Sequence, residues 1–579
     1  MAQSSWRLGG WLARAAALMI LGGEDIALAQ PHGVGEDGVA AATTVAVAAT
    51  PGRDWQRAVA LPGWMAVVTD GVAAERKNEP REPAVAADGS VEVSLRDTLR
   101  YTLENNLNLR VAGYTPRLSA EDIAARQAIF DPAFTFTLDL LKSTSPSVGV
   151  LSGAEVLTRK EYQWNFGYGG LLGPGTRYTV GFANARTVSN SSFNSVNPAN
   201  DANLSFAVSQ PLLRNFGFGV TRAEIRIATT HKQQADEGFR AEVIDTVAQT
   251  INAYWGLHES IEARGVAEKG VALAEELLNI NRTRVQVGTM APLDISQAEA
   301  QVSDARLRLL TARDLVRDTE DRLRLSVGVS ATSRLWDKPI RPVDMPSLDE
   351  VKVDVNDAIA EAYRHRPELK QSTLNLDIDA VRLEVAKSQL KPGLNLAASL
   401  GTAGVGGPQV LRDGLGGPVI GIIPGGYGDA LADAFGFDFR TWHLGLTFDL
   451  PLHNTAAEAQ HAAAVLSMQR DKDAVENLKL TIAAEVRKAV RNVQTNRERV
   501  DLARITREYH EKSLDAERKK FDHGLSTNFE VLTQQNDFIT ASEQEVVART
   551  LYKRALVELQ KASGTLLETY DVAFDAVTP

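Results

Sequence analysis

Val93-Ser-Leu-Arg-Asp97 and Val353-Asp-Val-Asn-Asp357 open two copies of one pattern, 260 positions apart. The same shift lays Leu109 on Leu369 and Pro132 on Pro392. Further along, Gln210-Pro211-Leu212-Leu213 matches Leu450-Pro451-Leu452-His453 at a shift of 240. Val287-Gly288-Thr289 then matches His523-Gly524-Leu525 at 236. The length difference therefore sits mainly between the paired prolines. Each copy has one order: helix, strands, a very long helix, a tight turn, a second helix. A period this long does not describe a solenoid. It describes a duplicated half-molecule, with repeats expected over 91–345 and 346–570.

The long helices are the strongest part of the pattern. From about Thr221 to Val287 there is no proline, and about Ala456 to His523 matches it. At about 1.5 Å per residue, each predicts a rod of about 100 Å. Val486, Val493, Val500, Leu514 and Phe521 are spaced by sevens, with Arg507 breaking the series. After the Gly288 turn, Ile295, Val302, Leu309, Val316 and Leu323 keep the same period beside Ala298, Ala305 and Ala312. After the Gly524 turn, Ala541, Ala548, Ala555 and Ala562 form the equivalent seam. Alanine at every seventh position predicts close, supercoiled helix packing.

Between the helices the period changes to two. Phe134, Phe136, Leu138 and Leu140 alternate with polar residues, and so do Tyr162, Trp164, Phe166 and Tyr168. Tyr178, Val180 and Phe182 alternate likewise, followed by Leu204, Phe206 and Val208. The second copy offers Leu394, Leu396, Ala398 and Leu400, then Trp442, Leu444, Leu446, Phe448 and Leu450. Such strands divide two environments. A half-buried soluble sheet and a membrane barrel both fit the alternation. Long loops over 142–160, 187–202 and 401–438, against a short turn at Gly173-Pro174-Gly175, favour the barrel. The helical pattern from Leu95 to Ile129 ends at Asp131-Pro132.

Composition bounds the function. The 579 residues carry a net charge of −11 and no cysteine. Acidity disfavours nucleic acid as a partner. Disulfides, thiolate metal sites and lipidation of an N-terminal cysteine are excluded. Arg7 and Arg14, the apolar run 15–21 and Ala27-Leu28-Ala29 read as a signal peptide over 1–29. Residues 30–90 are Ala-, Val-, Gly- and Pro-rich without period and are expected to be disordered, with Trp55 and Trp64 as docking points; 571–579 form a tail. No segment reaches the ~20 apolar residues of a membrane helix, so any span is made by strands. No G-x-S-x-G, Walker A or H-E-x-x-H motif occurs, and no enzyme activity or cofactor is expected. His453 and His461 are eight apart on an expected helix, yet no carboxylate completes a metal site.

Across about Val91 to Tyr570 the chain resembles the TolC-like outer-membrane efflux proteins. The resemblance rests on the duplicated halves and on Ser209-Gln-Pro-Leu-Leu213 at a strand-to-helix junction. It rests also on Val287-Gly288-Thr289 and Gly524-Leu525-Ser526 at the hairpin turns, and on Phe529-Glu-Val-Leu532 just after. It implies a fold that is mainly α with a membrane β-barrel portion. It implies a homotrimer with one shared β-barrel in outer-membrane lipid and a long periplasmic α-helical barrel. It implies an exit duct served by a periplasmic adaptor and by an inner-membrane pump or ABC exporter. The hairpin tips, Val287, Gly288, Thr289, Gly524, Leu525 and Ser526, would then face the adaptor. The family usually supplies four strands per protomer, whereas the alternation here counts four plus two. A periplasmic coiled-coil adaptor is the alternative, but adaptors carry one helical hairpin rather than two in tandem.

Asp294 and Glu530 each lie six residues after a turn glycine. In a threefold assembly each becomes a ring of carboxylates at a narrow tip, a device that favours cations. Acids at helix starts also serve simply as partners of the helix dipole.

Overall fold

The computed structural model describes residues 89–572, apart from 148, 150, 151, 349, 350, 352, 415 and 416. The expected signal peptide, almost all of segment 30–90 with Trp55 and Trp64, and the tail beyond 572 lie outside the described residues.

Each repeat opens with a pair of helices where the sequence suggested one. In the first, α1 (Leu95–Asn105) and α2 (Leu107–Gln127) break at Asn106, followed by a 3-10 turn over Ala128–Phe130. The break is local chemistry. Asn106 Oδ1 accepts from the backbone N–H groups of Asn108 (2.8 Å) and Leu109 (3.1 Å), capping the second helix while the first ends. A short parallel strand pair, β1 (Val91–Val93) with β6 (Ile340–Pro342), ties the start of this repeat to its end.

The strands follow as β2 (Ala133–Pro146), β3 (Val156–Leu171), β4 (Arg177–Ser189) and β5 (Ala199–Pro211). The short turn α3 (Phe218–Thr221) leads into α4 (Ala223–Gln286), 64 residues long. After the tip, α5 (Pro292–Val327) returns, with Pro292 in its first turn, where a missing N–H costs nothing.

The second repeat runs α6 (Val355–His365), α7 (Pro367–Gln389) and β7 (Gly393–Gly406). The small hairpin β8 (Gln409–Arg412) and β9 (Val419–Ile423) and the helix α8 (Tyr427–Gly436) come before β10 (Phe439–Asp449). The 68-residue α9 (Thr455–Asp522), then α10 (Asn528–Ser563) and α11 (Leu566–Thr569), complete it. Its opening break falls at Arg366, 260 positions after Asn106, and Pro367 there starts the second helix. His453 precedes α9, with Nδ1 2.8 Å from its neighbour's carbonyl, so it does not share a helix with His461.

All six long strands form one antiparallel sheet, in the order β10-β7-β5-β4-β3-β2. Phe136 pairs with Phe166, Phe166 with Phe182, Phe206 with Leu400 and Leu400 with Trp442. The apolar set of every strand therefore lies on one face. Leu140 and Trp442 on that face are each 73 % exposed, a degree of apolar exposure that suits lipid rather than water. The opposite face carries Thr135, Gln163, Asn165, Asn203, Ser205 and Thr447. The predicted long loops shrink, because ladder pairing continues into polar residues. Strand β2 reaches Pro146 and β5 begins at Ala199. The stretch 401–438 is largely ordered structure: the end of β7, the β8–β9 hairpin and α8.

The two repeats share cores. Val243, Val247, Ile251, Tyr254 and Leu257 of α4 pack with Leu99, Leu323 and Val557. Val486, Val490, Val493 and Val500 of α9 pack with Ala548, Tyr552 and Ala555 of α10. The seven-spaced residues of α9 are all buried, and Arg507 breaks the series for a reason. Its guanidinium donates to the buried Glu545 carboxylate, which Arg549 also engages. The alanine seams hold except at Ala312, which is only half-buried: Ala298, Ala305, Ala541, Ala548, Ala555 and Ala562 are buried. Ala305→Leu or Ala548→Leu forces bulk into these contacts, and overpacking costs about 1–3 kcal/mol. Both variants are expected to unfold at lower temperature in detergent. An unchanged transition in both would show that the seams tolerate a larger side chain.

Candidate functional site: the double-hairpin tip

Both long hairpins turn by the same local device. At the end of α4, Thr289 N–H donates to the Arg284 carbonyl (2.9 Å) and Gly288 N–H to that of Val285 (3.0 Å). At the end of α9, Leu525 N–H donates to the Lys520 carbonyl (2.8 Å) and Gly524 N–H to that of Phe521 (3.0 Å). Gly288 and Gly524 sit at φ of 79° and 73°, the left-handed region that a Cβ disfavours. Each turn thus satisfies the last carbonyls of its long helix.

Asp294 and Glu530 both lie in first helical turns, but their surroundings differ. Glu530 closes a capping box. Its N–H donates to Thr527 Oγ1 (3.3 Å), and its Oε2 accepts from Thr527 N–H (3.3 Å). Ser526 Oγ lies 3.0 Å from Glu530 Oε2 and 2.5 Å from Glu517 Oε1. That hydroxyl, with Lys520 at 2.9 Å, holds the Glu517 carboxyl below its usual range. Asp294 is half-buried at the start of α5, whose cap residue Ala291 contributes no side-chain bond. The helix-start role is therefore filled fully by Glu530 and only through the dipole by Asp294.

The two tips are fastened together by residues that the sequence patterns did not single out. Asn281, fully buried in α4, donates to Asn528 Oδ1 (2.8 Å) and reaches the Asp294 carbonyl (3.4 Å), so it touches the first turns of both return helices. Gln301 donates to Asn536 Oδ1 (2.7 Å). Arg284 donates to the Phe521 carbonyl (2.8 Å) and to Asp522 (3.1 Å), with its guanidinium 4.1 Å from the Phe521 ring centre. Arg518 pairs with Glu276 at 2.9 Å. Leu277, Phe521 and Val531 form the small apolar core beneath. The available signal was positional: Asn281 and Asn528 interrupt otherwise apolar helix faces close to the turns.

Around the turns lie exposed apolar side chains: Val287, Leu293, Leu525 and Phe529. Leu293 and Phe529 occupy equivalent positions in the two repeats. Thr289 is exposed and Ser526 half-buried beside them. The tip thus combines an apolar rim, acidic first turns and a polar clasp between hairpins.

A six-stranded sheet with a lipid-suited face, mounted on two helical hairpins of about 100 Å, defines a channel-type protein of an outer membrane. The chain belongs to the outer membrane efflux protein family, whose sequence model matches residues 172–329 and 358–565. It is similar to the toluene efflux pump outer membrane protein TtgC of Pseudomonas putida, 22 % identical over 60 % of this chain and 66 % of that protein. It is similar also to the outer membrane protein TolC of Salmonella enteritidis, 22 % identical over 56 % of this chain and 61 % of that one. The matches thus span about two thirds of these relatives or slightly less. In fold it resembles the Campylobacter jejuni CmeC outer membrane channel, with a TM-score of 0.58 at 16 % identity, over 82 % of this chain and 86 % of that one. A Pseudomonas aeruginosa membrane protein gives 0.59 at 17 %, over 85 % and 98 %. The family is that of outer membrane efflux proteins, and TtgC, TolC and CmeC are outer-membrane proteins, so the adaptor alternative is set aside. The place of the chain is the outer membrane.

Proposed function

We propose that the chain is the passive exit duct of a tripartite efflux or type I secretion system. Three copies would join their sheets into one barrel and their hairpins into a periplasmic helical tube. The observation that carries this reading is the sheet: apolar on one face, polar on the other, with the long hairpins leaving from one end. The exposed apolar side chains of Val287, Leu293, Leu525 and Phe529, set among Gly288, Thr289, Gly524 and the half-buried Ser526, suit docking of a periplasmic adaptor. The adaptor would in turn connect to an inner-membrane pump or ABC exporter, which supplies the energy. Asp294 and Glu530 would line the constriction where the tips of three copies converge.

The test is biochemical. Full-length protein in its native membrane should resist extraction by high salt and carbonate. Solubilised in detergent, it should sediment as three chains. A soluble or monomeric species would overturn the duct reading.

A further inference from the structure

We infer that the duct closes as an 18-stranded barrel, with β2 of each copy pairing with β10 of the next. This rests on the trimeric exit-duct reading and specifies its membrane part. Six strands stand in one continuous sheet, and three times six is 18. Four strands per copy would give 12.

The additional strands are integral to the sheet. The β3–β4 hairpin sits between β2 and β5, with ladder pairing along both sides. Helix α8 then crosses the apolar face and clamps the hairpin to its neighbours. Tyr427 Oη donates to Asn184 Oδ1 on β4 (2.6 Å), and its ring meets Trp164 on β3 edge-on at 5.5 Å. Phe435 packs on Phe182, and Ala430 and Ala434 seat on Ala202 of β5. On β7, a Cβ at Gly404 would overlap the Ala430 carbonyl, and one at Gly406 would overlap that of Gly426. One helix thus rests on β3, β4, β5 and β7 together, and the glycines of β7 admit it.

The sheet's two edges fit one another. Among the described residues, strand β2 pairs only with β3 and β10 only with β7, which leaves 14- and 11-residue edges open. All of β2 and nearly all of β10 are exposed. Open edges of this length require a partner. Strand β2 runs away from the helices and β10 back toward them, so the edges of adjacent copies meet antiparallel. Their apolar sets, Phe134 to Leu140 and Trp442 to Phe448, lie on the same face.

The polar face suits a wide bore. A register row crosses all six strands as Thr135, Gly167, Gly181, Ser205, Gly401 and Thr441, small residues throughout. With strands about 4.8 Å apart and tilted about 40°, 18 strands enclose a backbone diameter of about 36 Å, against about 24 Å for 12. The membrane segment would then not limit the size of cargo, and selection would fall to the tip.

Electron cryomicroscopy of the full-length protein in detergent decides the matter. A trimer with 18 strands in section is expected. A trimer with 12 strands and the β3–β4 hairpin outside the wall would overturn this inference and leave the exit-duct reading standing. A monomer would overturn both. The cysteine-free chain allows a second measurement. Thr135→Cys with Thr447→Cys, or Thr137→Cys with Thr447→Cys one pair along, places thiols on the polar face of the two edges. At least one pair should yield covalently linked trimers on oxidation. Reduced monomers alone from both pairs, in protein that sediments as a trimer, would overturn the β2–β10 closure.

Discussion

Replacing Arg324 by Met should destabilise each chain by about 3–5 kcal/mol, the usual cost of removing one partner from a buried ion pair. Arg324 is only 4 % exposed at the end of α5. Its Nε donates to the Leu335 carbonyl (3.2 Å), Nη1 to Asp321 (2.5 Å), and Nη2 to Glu320 (3.3 Å) and the Lys338 carbonyl (2.5 Å). Glu320, itself buried, accepts from Ile340 N–H (3.0 Å) through its other oxygen. This one side chain therefore holds the segment before β6, and β6 pairs with β1. Met fills comparable space but leaves two carbonyls without their donor and a buried carboxylate without its cation. Arg324→Lys keeps the charge without the planar fork and should fall between. The readout is the temperature of unfolding in detergent, together with tryptic cleavage at Arg334. An unchanged transition with Arg334 still protected would show that water replaces the guanidinium without cost.

The lengths of the rods, the seams, the turn glycines and the face of every strand were legible in the sequence, because each follows from a period or a backbone requirement. Val486 to Phe521 announce a buried stripe by spacing alone. Gly288 and Gly524 announce turns because few other residues take positive φ. Asn106 was not legible as a helix break, since an asparagine that caps and one that faces water look alike in sequence. Helix α8 was hidden for a similar reason. Its Ala and Gly content reads as loop, and only the glycines opposite it on β7 reveal a packing partner. At the tip the sequence supplied Asp294 and Glu530 by symmetry of position. It did not reveal that Thr527 and Ser526 draw Glu530 into a cap, nor that Asn281 and Arg284 fasten the hairpins. The Asn281–Asn528 and Arg284–Asp522 contacts join residues more than 200 positions apart, where no local pattern carries information.

The capping box sharpens what neutralising the tip should do. Asp294→Asn combined with Glu530→Gln removes two carboxylates per chain, hence six from the proposed trimer, at the tip where the hairpins of three copies would converge. Glutamine can complete the box as glutamate does, so Thr527 keeps its partner. Asparagine in place of Asp294 keeps a short polar side chain at the helix start. The fold should therefore survive, since helix-start acids contribute only about 0.3–1 kcal/mol each. The electrostatics should not. Rings of like charge in a narrow aqueous passage concentrate cations, and their loss flattens that preference. In planar bilayers the double variant should show a several-fold lower cation-to-anion permeability ratio and weaker block by multivalent cations. The single variants separate the two positions. Glu530 is exposed yet already accepts hydrogen bonds from Ser526 and Thr527, whereas no side-chain hydrogen bond to the half-buried Asp294 carboxylate is seen among the described residues. Asp294→Asn should therefore account for more of the change in block. If the double variant keeps both its ion preference and its block, the two acids serve only to start their helices, and the selective element of the duct lies elsewhere.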